Sequence, residues 1–156
     1  MSEGTTTAGN EIVVERVFNA PRELVWQAWT EPEHFMRWYG PAGASAAGCE
    51  IDFRVGGRHL FGLRTPDGQT YWTTGTYLEI VPLERFVTSE LMSDEHGNAV
   101  ATMPETTVTV TLEDLGDGRT RMTLRHGGWP EPGMAEGAGG GWSQAFDKLE
   151  TVLAAG

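Results

Sequence analysis

At 156 residues and a net charge of −11, from 11 Lys plus Arg against 22 Asp plus Glu, the chain has the length of one domain and a surface that would repel nucleic-acid phosphates. Its single cysteine, Cys49, excludes an internal disulfide and a cysteine-based zinc site. No apolar run approaches the roughly 20 residues that cross a bilayer, while six Trp and six Phe within a 39% hydrophobic composition suffice for a core.

Residues 1–10 are polar and lack the basic-then-apolar pattern of a signal segment, so a disordered tail on a cytoplasmic protein is expected, with a single domain over 11–156. Glu11 to Asn19 alternates around Ile12-Val13-Val14 and Val17-Phe18 as a first strand. Pro21 opens a helix whose Leu24, Val25, Ala28 and Trp29 share a face, and Thr30 and Pro32 start a second, short one holding Phe35, Met36 and Trp38. A Gly/Ala loop is expected from Pro41 to Gly48. Cys49, Ile51, Phe53 and Val55 then share one face of a strand, with Glu50, Asp52 and Arg54 on the other.

Gly56-Gly57 and Pro66-Asp67-Gly68 are turn sequences bracketing a strand over Arg58 to Thr65. Further strands are expected over Gln69 to Val81, Arg85 to Met92, Thr106 to Leu112 and Arg119 to His126, with a polar connection from Ser93 to Glu105. The last clear helix, Gly141 to Ala155, carries Trp142, Phe146, Leu149, Val152 and Leu153 as one stripe. Whether it begins near Pro132 or only at Gly141 is left open by Gly137, Gly139, Gly140 and Gly141, each of which costs about 1 kcal/mol inside a helix. Strands segregated from helices in this order make an α+β fold, an antiparallel sheet curved around the C-terminal helix.

Phe18-Asn-Ala-Pro-Arg-Glu-Leu-Val-Trp26, Trp38-Tyr39-Gly40-Pro41, Asp52-Phe-Arg-Val-Gly-Gly-Arg58, Pro66-Asp-Gly68, Gly75-Thr-Tyr-Leu-Glu-Ile-Val-Pro82 with Glu84-Arg85, and Gly141-Trp142 with Phe146 and Leu149 occur in a fixed order. In order and spacing they resemble the SRPBCC (START-like, helix-grip) superfamily, in its activator of Hsp90 ATPase homologue (AHSA1-like) branch. The resemblance implies a sheet of about seven strands wrapped around the C-terminal helix, two short helices after the first strand, and an internal hydrophobic cavity that in relatives takes apolar or amphipathic molecules. It implies no single activity, since relatives include carriers, receptors, cyclase-like enzymes and chaperone co-activators. A homodimer is allowed, since relatives often pair, and the branch name implies a chaperone partner and a stress-response connection.

On that frame the expected function is ligand binding: a small apolar or aromatic molecule held between sheet and helix by Trp38, Phe53, His59, Phe61, Trp72, Met122, His126, Trp142 and Phe146. The alternatives are a chaperone co-activator working through its surface, and a cyclase- or dehydratase-like enzyme. His59 alternates with Phe61 and Leu63, and His126 with Leu124 and Met122, so both imidazoles are placed inward, as ligand anchors or an acid–base pair, or more plainly as satisfied core histidines. Asp52 and Arg54 could clamp a head group, the plainer reading being a solvated face. The glycine run and the Ser93 to Glu105 connection could gate the cavity. No metal-ligand spacing, nucleophile elbow or phosphate loop is present, so no cofactor and no catalytic residue are expected.

Overall fold

A computed structural model describes residues 3–100 and 104–155. The strands are β1 (Glu3–Ala8), β2 (Glu11–Phe18), β3 (Ser45–Ile51), β4 (Arg58–Arg64), β5 (Thr70–Val81), β6 (Arg85–Ser93), β7 (Thr106–Gly116) and β8 (Arg119–Gly127). The helices are α1 (Arg22–Thr30), α2 (Pro32–Phe35) and α3 (Pro132–Ala155). All strands join one antiparallel sheet in the order β1-β2-β8-β7-β6-β5-β4-β3. Because β2 pairs with β8 and not with β3, the chain carrying α1 and α2 must cross from one half of the sheet to its far edge. That crossing, with α3, covers the concave face.

Period-two alternation puts Ile12, Val14 and Phe18 of β2, Met122, Leu124 and His126 of β8, and Val108, Val110 and Leu112 of β7 on that face, all buried. The register aligns them, Val14 opposite Leu124 and Val108 opposite His126. Trp142, Phe146 and Leu149 of α3 pack down onto it. Arg16, inward on β2 yet 6% exposed, reaches Asp147 at 2.9 Å and the Ser143 carbonyl at 3.5 Å and fixes α3 along the strand.

The sheet has eight strands rather than about seven. The additional strand is β1, in the segment expected to be a disordered tail; three successive threonines suit extended backbone but give no apolar alternation, and pairing with β2 is what holds them. The expected loop before Cys49 is also strand: β3 begins at Ser45, and Asp52 to Val55 form the turn instead. The reason lies across the sheet. Trp72 of β5 pairs with Gly62, while the neighbouring pair Phe61 and Thr73 faces inward, so Trp72 lies on the outer face. A Cβ on Gly62 would meet its ring at 2.6 Å, and one on Gly48 at 3.0 Å. The small residues that look like a loop are the seat of an indole, and the placement of Trp72 as a cavity residue is corrected accordingly.

The helix α3 runs from Pro132 straight through the glycines. Gly139 is buried where the helix crosses β2, and a Cβ there would stand 2.6 Å from Ile12 Cγ1, whereas one on exposed Gly140 would meet nothing within 4 Å. One glycine is a packing requirement and its neighbour is only a propensity cost. Gly140→Ala should therefore stabilise the protein by about 0.5–1 kcal/mol, and Gly139→Ala should destabilise it by roughly 1–3 kcal/mol. Urea unfolding of the two variants checks the opposite signs.

Candidate functional site

The helical face of α1 delivers Trp29 into the middle of the concavity. Its ring meets Trp38 at 4.7 Å, Phe86 at 5.6 Å, Trp142 at 5.7 Å, and Phe35 and Phe146 at 6.2 Å. Its indole N–H donates to the Met122 sulfur at 3.2 Å, which gives the buried donor a partner. What remains of the interior, between Trp29, Phe61, Tyr77, Phe86 and Trp142, is a space of about 10 Å3. That is about the room of one water, whereas a benzene-sized guest needs roughly 150 Å3.

Room lies at the mouth. Two open hollows, each about 150 Å3, meet at Trp129, the first of them against the N-terminal half of α3 near Trp142. The first is bounded by Tyr39 to Pro41, Leu63, Trp129, Ala138, Gly141, Trp142 and Ala145; the second by Thr73, Leu91, Met92, Pro104, Thr106 and Trp129. His126, Trp129 and Glu90 are common to both, and Glu90 alone also borders the interior space. A larger open hollow of about 490 Å3 on the outer face, among Glu50, Arg58, Glu95, His96 and Asn98, is bounded mostly by polar and charged side chains.

Glu90 is where alternation along β6 leads: Phe86, Thr88 and Glu90 point inward in turn. It is 8% exposed, and among the described residues its carboxyl accepts no hydrogen bond and forms no ion pair. Burial alone pushes it from its ordinary 4.5 up to about 7.

The two histidines are held neutral. Trp142 donates its indole N–H to His126 Nδ1 at 3.0 Å, so Nε2 carries the hydrogen and donates to Thr106 Oγ1 at 2.8 Å. The Thr106 hydroxyl then donates to the Glu90 backbone carbonyl at 3.3 Å. His59 Nε2 lies 2.9 Å from Thr88 Oγ1 and 3.2 Å from the Ser89 carbonyl, an approach that needs glycine at 75, where a Cβ would stand 2.7 Å from that nitrogen. His59 Nδ1 is buried without a partner, and the ring stacks on Phe61 at 4.3 Å. Burial pushes both imidazoles down to about 4.

Over residues 19–154 the chain matches the family described as Activator of Hsp90 ATPase homolog 1-like protein. The chain belongs to that family. Among solved structures, a protein from Chromobacterium violaceum is 29% identical with a TM-score of 0.80, covering 92% of this chain and 96% of its own. One from Arthrobacter aurescens is 27% identical with a TM-score of 0.84, covering 100% and 92%. The AHSA1 protein from Silicibacter pomeroyi, at 22% identity and a TM-score of 0.80 over 92% and 97%, shares the fold. No curated protein matches the chain.

Seen on this AHSA1-like frame, the expected binding residues divide. Trp142 and His126 border the mouth, and His59 and Phe61 border the filled interior. Trp38, Met122 and Phe146 are fully buried packing, Trp38 donating its indole N–H to the Ala28 carbonyl at 3.0 Å. Phe53 closes the far end against Trp26, Tyr77 and Phe86, and Trp72 is outside. Asp52 and Arg54 pair with each other at 2.9 Å in an exposed turn, away from the mouth. Sequence reasoning missed Glu90, Trp129 and Tyr39. A carboxylate four residues after Phe86 on the apolar face of a strand is the signal that could have found the first. Among the described residues no cluster of three or more His, Cys, Asp or Glu could hold a metal, and no helix is long and apolar enough to cross a membrane.

The buried groups set a pH dependence with opposing signs. The Glu90 carboxyl, raised in the fold, contributes stability below about 4.5 that is lost as pH rises through about 7. The histidines, lowered in the fold, contribute stability above 6.5 that is lost as pH falls toward 4. Glu90→Gln isolates the first: its stability should lie within about 0.5 kcal/mol of wild type at pH 4.5 and exceed it by roughly 2–3 kcal/mol at pH 8.5. Denaturant unfolding at the two pH values measures the difference, and no gain at pH 8.5 would contradict an unpaired buried carboxyl.

Proposed function

We propose that this chain is a binding protein for a small apolar or aromatic molecule, held at the mouth of the helix grip and not in its centre. The observation that carries the reading is the contrast in room: about 10 Å3 inside, and two hollows of about 150 Å3 each meeting at Glu90, His126 and Trp129. Apolar walls with two unpartnered polar groups, the Glu90 carboxyl and the Trp129 indole N–H, match what small-molecule sites require: area to desolvate, and a few polar groups to fix orientation. The hollows suit a guest of one or two rings and leave no room for a long acyl chain.

Catalysis through the histidines has less support, because both His126 nitrogens are engaged and the free nitrogen of His59 is sealed from solvent. A chaperone contact, which the family name suggests, would use the outer surface and be indifferent to changes inside the mouth.

Ala138, half-buried on α3, borders the first hollow, so Ala138→Leu should fill it without upsetting the helix. Naphthalene- and indane-sized aromatics should bind the wild type saturably, with shifts in the NMR signals of Trp129 and Trp142, and Ala138→Leu should weaken them about tenfold or more at undiminished stability. Binding unaffected by the leucine, or absent from a broad panel of aromatics, would remove the mouth as the site.

A further inference from the structure

The polar groups at the mouth do not balance, and this bears on what the guest must carry. Starting from α3, the indole N–H of Trp142 occupies His126 Nδ1, His126 Nε2–H goes to Thr106 Oγ1, and the Thr106 hydroxyl goes to the main-chain carbonyl of Glu90. The chain of donors ends on the backbone of Glu90 and never reaches its carboxyl. From β4, His59 directs its one N–H to Thr88 and Ser89. The phenols of Tyr39 and Tyr77, on the loop after α2 and on β5, are raised well above their ordinary value, chiefly by burial, with the negative charge of Glu90 adding to it. Among the described residues no Lys or Arg borders either hollow. Lys148 turns its ammonium to the carbonyls of Tyr39 at 3.5 Å and Pro41 at 3.2 Å. A side chain more than nine-tenths buried thus presents two acceptor oxygens to a space that the described residues supply with no cation, and whose one unpartnered buried donor, the Trp129 indole N–H, makes no hydrogen bond to it.

Resting on the reading of the mouth as a ligand site, we propose that its ligand is an aromatic amine of one or two rings, whose ammonium group docks on the Glu90 carboxylate between the rings of Tyr39, Trp129 and Trp142. An ammonium N–H is the partner that a buried carboxylate lacks, and a charge-assisted hydrogen bond of this kind is stronger than a neutral one. The faces of indole and phenol rings are electron-rich and favour a cation beside them. An anionic guest meets the opposite: a buried negative charge with no counter-ion at the site, on a chain of net charge −11. A neutral alcohol satisfies Glu90 with one hydrogen bond and without the charge term, which makes it the discriminating comparison.

The probes are 2-phenylethylamine, 2-phenylethanol and phenylacetate, nearly matched in shape, titrated calorimetrically against the full chain at pH 8.5. The amine should bind about tenfold or more tighter than the alcohol, and phenylacetate at least about tenfold weaker than the alcohol. In Glu90→Gln the advantage of the amine over the alcohol should shrink to about twofold. As a second readout that needs no variant, the Glu90 carboxyl carbon of the wild type at pH 6.5 should move to its ionised NMR position on adding the amine, and not on adding the alcohol. Equal affinity for amine and alcohol, an amine preference that survives in Glu90→Gln, or a carboxyl signal that ignores the amine would overturn the assignment while leaving the mouth as a site for neutral aromatics. Failure of all three probes, together with Ala138→Leu changing the binding of no aromatic, would overturn both.

Discussion

The placement of one indole governs what this fold can hold. Trp29 descends from α1 into the concavity and touches rings from α2, α3 and β6 together with Trp38, three residues past the end of α2. A buried tryptophan removes on the order of 150–250 Å2 from water, so driving it into the grip stabilises the closed arrangement by several kcal/mol at ordinary transfer coefficients. The same contacts take away the space between sheet and helix. Stability and an internal chamber compete for one volume here, and the aromatic cluster has taken it. On the proposed reading a guest sits further out, where α3 and the β8–α3 connection diverge from the ends of β6 and β8.

That displacement explains the polar pattern. Inside, each buried polar side chain that can reach a neighbour does so: the Trp29 N–H finds sulfur, the Trp38 N–H finds the Ala28 carbonyl, and Thr120 donates to the Ala20 carbonyl at 2.7 Å. His126, at the boundary, is satisfied on both nitrogens, which fixes it as a strut between α3 and β7 rather than a proton carrier. One residue further out the rule fails. Among the described residues the Glu90 carboxyl receives no hydrogen bond, and the indole N–H of Trp129 beside it is also without a partner.

Much of this was readable from residues, and the exceptions have physical causes. The inward faces of β7 and β8 follow from alternation, and the stripe of α3 from its 3.6-residue period, because those elements each bury one side only. The eighth strand was not readable, since β1 is polar and gains its order from backbone pairing, which leaves no mark in side-chain pattern. The start of β3 was hidden because Gly48 and Gly62 are small to seat Trp72, and smallness there resembles flexibility. The same ambiguity surrounded the glycines of α3, where Gly139 serves the crossing of Ile12 and Gly140 serves no contact. For the mouth, alternation placed His59 and His126 inward but could not say that their nitrogens were already engaged, because those partners come from β6, β7 and α3. Glu90 lay on an inward position by the same count, in a strand whose polar Thr88 and Ser89 obscured which face was which.

A carboxyl left unpaired in a protein of this size is a cost the fold could shed by one substitution, glutamine for glutamate, at no change in volume. Where local choices otherwise agree with the fold, a residue that breaks the rule without compensation marks a place where something other than stability has been retained. The neighbours of Glu90 sharpen that inference. A buried carboxylate meant to be silent would sit beside an arginine or accept backbone N–H groups; this one has rings on one side, an occupied imidazole on another, and open space in front. Its contribution to the fold is negative above neutral pH, and only an external partner carrying a donor can reverse the sign. The geometry that makes Glu90 a liability to the free protein is the same geometry that would make it selective toward a guest.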